Sequence, residues 1–108
     1  MDDIPRDSEP DLNFSVVIGL LEVDLRLPLC RSLKTKRGIV ARILNHLRKQ
    51  HPLSAAEVGS LQAWSRAGLA AVTVSNDRAV AERNLRGAIR MLQTDRDVEL
   101  VDYSMQML

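Results

Sequence analysis

A chain of 108 residues with 45% apolar content makes one small globular domain, able to bury only about 60–65% of its unfolded surface. Its formal net charge of +1 hides a segregation along the chain: residues 1–13 carry −4, 14–30 −1, 31–51 +7, 52–76 zero, 77–97 +1 and 98–108 −2. The single cysteine, Cys30, excludes an internal disulfide, and no apolar run reaches signal-peptide or membrane length, so a cytoplasmic protein without a membrane partner is expected.

Residues 1–13, MDDIPRDSEPDLN, combine two prolines and five acids with little to bury, and read as an acidic mobile tail ahead of a single domain over 14–108. From Phe14 to Leu27 the chain alternates. Val17, Leu21, Val23, Leu25 and Leu27 fall on one face, and Val16, Ile18, Leu20, Glu22, Asp24 and Arg26 on the other, which predicts a long strand with one dry face. Pro28 ends it, and Ser32 is placed to cap a helix whose apolar stripe is Leu33, Val40, Ile43, Leu44 and Leu47. Pro52 stops that helix. A short strand over Leu53 to Gly59, a loop from Ser60 to Arg66 and a buried central strand over Ala67 to Ser75 are expected next. Asn76 and Asp77 supply helix-start chemistry for a second stripe of Ala81, Leu85, Ala88, Ile89 and Leu92, and Val98 to Met107 closes the chain as a mixed-faced edge strand.

The element order is βαββαβ. Right-handed crossovers and the pairing of neighbouring strands make this an α+β ferredoxin-like sandwich, with antiparallel sheet order 4-1-3-2, both helices on one face and the other face open.

Three short motifs, SLKTKR at the first helix start, AEVG followed five residues on by WSRA, and SND before the second helix, together resemble the YlxP family of small bacterial domains over roughly Val16 to Met107. The positions concerned are Ser32, Leu33, Lys34, Lys36 and Arg37; Glu57, Val58, Gly59, Trp64 and Arg66; and Ser75, Asn76 and Asp77. The resemblance implies the same sandwich, and because such genes commonly lie beside translation and ribosome-maturation genes it implies a role near RNA or the ribosome. The acidic tail departs from the family pattern, as do Ser60, Leu61 and Gln62, where a more polar segment is expected.

Residues 31–51 hold seven cations and no acid, which points to phosphate. Lys34, Lys36 and Arg37 stand in the first turns of a helix, where the macrodipole disfavours cations by about 0.3–1 kcal/mol each. Together with free N–H groups they read as an anion site, and their joint replacement by Ala is expected to leave stability intact. Arg31, Arg42 and Lys49, with Arg83, Arg86 and Arg90 on the outer side of the second helix, extend this into one basic surface for RNA or the ribosome. Trp64 and Arg66 are expected at the same end of the sheet, with Trp64 reading more readily as a partly buried lid than as a base platform.

The composition argues against recognition through aromatics on the two central strands of the open sheet, since the only aromatics are Phe14, Trp64 and Tyr103. Val16, Ile18 and Leu20 instead suit a protein partner or a second copy, as an alternative function or a compatible one. An enzyme is not expected. His46 and His51 lack an orienting carboxylate, Cys30 lacks a base, Glu22 and Asp24 lack supporting metal ligands, and LPLCRS has no glycine to form the phosphate loop by which acylphosphatases act on a similar sandwich. No cofactor, metal or small-molecule substrate is therefore expected.

Overall fold

The structure is a computed structural model that describes residues 12–108; of the expected acidic tail, residues 1–11 lie outside it. The elements follow the expected order: β1 (Val17–Arg26), α1 (Leu33–Gln50), β2 (Ser54–Gly59), β3 (Arg66–Ser75), α2 (Arg78–Thr94) and β4 (Glu99–Met107). They form one antiparallel sheet ordered β2-β3-β1-β4, the 4-1-3-2 arrangement read from its other edge. No helix among the described residues is long and apolar enough to cross a membrane.

Alternation in β1 places Leu21, Val23 and Leu25 against the helices, where they join one core with Leu69 and Ala71 of β3, Val40, Ile43, Leu44 and Leu47 of α1, and Leu85, Ala88, Ile89 and Leu92 of α2. Both helices start on side-chain caps. Ser32 Oγ accepts from Thr35 N–H at 3.1 Å, and Asp77 Oδ1 accepts from Ala79 N–H at 2.8 Å and Val80 N–H at 3.4 Å. The buried Thr73 hydroxyl donates to Pro52 O at 2.8 Å and lies 3.4 Å from Asn84 Nδ2, so it satisfies itself inside the core.

Two expectations need correction. The first strand begins at Val17 and not at Phe14, because Val17 pairs with Ser75, the last residue of β3, and beyond it the partner chain turns away to cap α2. Phe14 and Val16 are exposed outside the sheet. β3 is central but buried on one face only: Ala67, Leu69, Ala71 and Thr73 point inward, while Val72 and Val74 are exposed because both helices occupy the opposite side.

Bulges bend both edge strands. In β4 the extra residue is Val101, between the pairs Asp24–Asp102 and Leu25–Leu100; in β2 it is Val58, between Glu57–Leu69 and Gly59–Gly68. At the second bulge the strands approach so closely that a Cβ on Gly68 would stand 3.0 Å from Gly59 Cα, so any larger residue would require the Gly59 backbone to give by a few tenths of an ångström.

Candidate nucleic-acid interface

The sandwich separates charge by layer. α1 carries six cations and no acid and α2 four cations and one acid, whereas the four strands together hold five acids and two cations. Lys34 and Lys49 of α1, and Arg83, Arg86 and Arg90 of α2, are exposed and make no ion pair among the described residues. Spacings of three and four put the α2 arginines in line, opposite the buried stripe of Ala81, Leu85, Ala88 and Leu92. Arg31 and Arg37 are likewise exposed and unpaired among the described residues, Arg31 ahead of the α1 cap and Arg37 on the helix's second turn.

Lys36 does not belong to that surface. Its helical position coincides with the Val40, Ile43 and Leu47 stripe, so the side chain runs inward and is only 1% exposed. There Nζ donates to Ser60 O at 2.5 Å and lies 3.0 Å from Glu57 Oε2. The contact to Glu57 is an ion pair and not a directed hydrogen bond, since the buried Oε2 has no hydrogen-bond donor among the described residues. The expected anion site therefore reduces to Lys34, Arg37 and neighbouring backbone. Lys36 is an internal staple that joins α1 to the end of β2 and the loop after it.

Arg42 and Arg66 are also committed elsewhere. Arg42 reaches beyond the end of α2, donating to Asp95 at 2.9 and 3.1 Å and to Asp97 at 2.9 Å. The hydrogen bond that Arg42 donates to Asp95 raises the guanidinium pKa above its ordinary value. Burial alone would raise the Asp95 carboxyl, but Arg42 and the Asp97 N–H outweigh it and hold that carboxyl below its usual range. Arg66 lies on the open sheet face, paired with Asp24 at 2.5 Å, and so belongs to the layer opposite the basic helices.

The β2–β3 loop does lie beside the α1 start, as the topology requires: Leu27 N–H donates to Ser65 O at 2.8 Å. Trp64 on this loop is 53% exposed and is neither core nor buried lid. It borders an open cleft of about 420 Å³ with Pro28, Cys30, Arg31, Gln62 and Ser65. Sequence reasoning did not anticipate Gln62 here, because only the packing of two loops brings it to Arg31.

On the other side of the sheet, Ile18 pairs with Val74 and Leu20 with Val72, and Val16 and Phe14 continue this apolar area past the strand end. Glu22, Asp24 and Asp102 make the rest of that face acidic, and no group of three metal-ligating side chains capable of holding an ion occurs among the described residues. His51, which ends α1, packs its ring over Gly87 of α2; burial lowers its pKa below the ordinary imidazole value, and the charges of Arg90 and His46 lower it further.

The model of a family described as "Protein of unknown function (DUF503)" matches residues 18–105, a span that runs from the second residue of β1 into β4. The chain belongs to this family. It is similar to the "Uncharacterized protein YlxP" of Bacillus subtilis (strain 168), 26% identical over 83 residues that cover 77% of this chain and 90% of that protein. Two of the motifs behind the resemblance meet in space, and the third lies at the other end of β3. Lys36 of the first reaches Glu57 of the second, Ser65 of WSRA bonds Leu27, and Ser75 Oγ of the third accepts from the Asp77 N–H that starts α2.

Proposed function

We propose that this protein is a non-catalytic RNA- or ribosome-associated accessory factor that lays its helical layer along a phosphate backbone. The observation that carries the reading is the line Arg83, Arg86 and Arg90, parallel in role to Lys34 and Lys49, exposed and without acidic partners among the described residues, in a molecule whose strands are net acidic. Cations held on rigid helices and not consumed by ion pairs are what counterion release requires. The genomic setting implied by the family resemblance favours RNA over DNA as the source of the phosphates.

The test is fluorescence anisotropy of a labelled structured RNA, titrated at several KCl concentrations, with the parent chain and with Arg83, Arg86 and Arg90 all changed to Gln. The variant should bind more weakly, with a salt slope flattened by about 0.7–0.9 for each phosphate it no longer neutralises. Unchanged affinity and slope would remove the reading.

A second, compatible reading is self-association through the open face, favoured by the paired apolar residues Ile18, Val74, Leu20 and Val72 beside exposed Val16. Sedimentation of the parent should then show a dimer that Ile18→Asp converts to a folded monomer. A parent that stays monomeric at high concentration defeats it.

A further inference from the structure

Trp64 is the chain's single tryptophan, and it stands 53% exposed on a loop that is firmly fastened. Ser60, at the loop's start, adopts a left-handed backbone with φ 58°, and its carbonyl takes both the buried Lys36 ammonium at 2.5 Å and the Ala63 N–H at 3.1 Å. Ser65, at its end, is bonded to Leu27. A large aromatic surface is thus held in water by a backbone with little freedom to turn it inward, and preorganisation of that kind lowers the cost of binding.

The cleft beside it has the complementary chemistry. Arg31 forms part of its wall and makes no ion pair among the described residues, and Gln62 supplies an amide with both donors and an acceptor. A volume of about 420 Å³ lies within the range of about 300–1,000 Å³ found for small-molecule sites. Lys34, exposed on the first turn of α1, follows Arg31 by three residues and is the next cation along the chain.

We infer that the cleft receives one unpaired nucleotide of an RNA strand, its base stacked on Trp64 and read along its edge by Gln62, its phosphate held by Arg31, with the adjoining backbone continuing past Lys34 onto the helical face. This rests on the phosphate-binding reading of the helices and adds to it a preference for single-stranded segments. An aromatic platform beside a cation suits such a strand, because every base offers a π face while a duplex hides it.

The lone tryptophan is its own probe. Its emission is titrated with a short oligoadenylate and, separately, with a blunt RNA duplex, using the full chain. The oligoadenylate should quench Trp64 saturably. Trp64→Leu, with folding checked by circular dichroism and binding read by anisotropy, should weaken oligoadenylate binding about 5- to 150-fold, the equivalent of one stacked base, and leave duplex binding unchanged. Trp64→Phe should keep most of the affinity, and Arg31→Gln should flatten the single-strand salt slope by about 0.7. Absence of quenching, or a Trp64→Leu chain that binds oligoadenylate like the parent, overturns the proposal. So does a Trp64→Leu chain that loses only a protein partner captured through the same loop. Loss of duplex binding in the triple α2 arginine variant, with no oligoadenylate quenching in the parent, would leave the helical reading standing alone. Quenching by oligoadenylate together with unaltered duplex binding in that triple variant would do the reverse, keeping the cleft and removing the helical face.

Discussion

Replacing Lys36 by Met separates a structural lysine from a binding one. The side chain is 1% exposed, and its ammonium serves Glu57 and the Ser60 carbonyl. Methionine fills nearly the same length of apolar space but leaves the Glu57 carboxylate without a cation and the Ser60 carbonyl without its charged donor. Removing one partner of a buried ion pair costs about 3–5 kcal/mol. Glu57 retains 20% side-chain exposure, so water reaches it and the lower end, about 3 kcal/mol, is expected. In a domain of this size that corresponds to a fall in Tm of roughly 12–24 °C, at about 4–8 °C per kcal/mol. Urea unfolding of the parent, Lys36→Met, Glu57→Leu and the double variant measures it, and the double variant should recover most of the loss because no charge remains buried. Lys34→Ala, two residues away on the exposed side, should stay within about 0.5 kcal/mol of the parent. A Lys36→Met chain as stable as Lys34→Ala would refute the staple. The same geometry reverses the expectation that Lys34, Lys36 and Arg37 can be removed together at no cost to stability.

Other outcomes follow from the packing. Ile43→Ala, at a residue with no exposed surface, should lose about 2–5 kcal/mol in the same urea assay. Gly68→Ala should also destabilise, because the new methyl meets Gly59 backbone at 3.0 Å and not a side chain able to swing aside; a variant as stable as the parent would show that the β2 bulge yields easily. For His51 the pKa is lowered in the folded chain, so the unfolded chain binds more protons and stability rises with pH across the window. Stability should therefore fall as the pH drops below about 6.5 toward the folded value, and His51→Gln should flatten that dependence in unfolding curves taken from neutral to mildly acidic pH.

The fold was legible because its determinants are local and periodic. Alternation from Val17 to Leu27, two stripes at helical spacing and side-chain caps at Ser32 and Asp77 each name an element, and crossover handedness leaves few ways to assemble six of them. Where β1 starts was not legible, since Phe14 and Val16 continue the alternation and only the end of β3 at Ser75 denies them a partner. The site was legible as a charge but not as a set of residues. Lys34, Lys36 and Arg37 look equivalent in the sequence, yet about 100° of helical rotation per residue turns Lys36 into the core while its neighbours stay in water. The apolar stripe at Val40, Ile43 and Leu47 already contains the phase that assigns Lys36 to it; what it lacks is the knowledge that Glu57 waits on the strand opposite.

That exchange of roles explains why a cation-rich helix start can be tolerated. Three unsatisfied cations in the first turns would oppose the helix dipole, but with Lys36 neutralised from across the core the remaining charge is spread over the helix exterior, where solvent screens it over about 10 Å at 0.1 M salt. The buried pair does a second task in fixing Ser60, and through it the loop that carries Trp64. If both proposals hold, stability and recognition are coupled at this one point: a Lys36→Met chain that still folds should keep the duplex RNA affinity proposed for Arg83, Arg86 and Arg90, yet lose oligoadenylate affinity because the tryptophan is no longer held. Equal loss on both ligands would mean that the loop and the helical face are not separate, and that Lys36 supports the whole layer instead of the cleft.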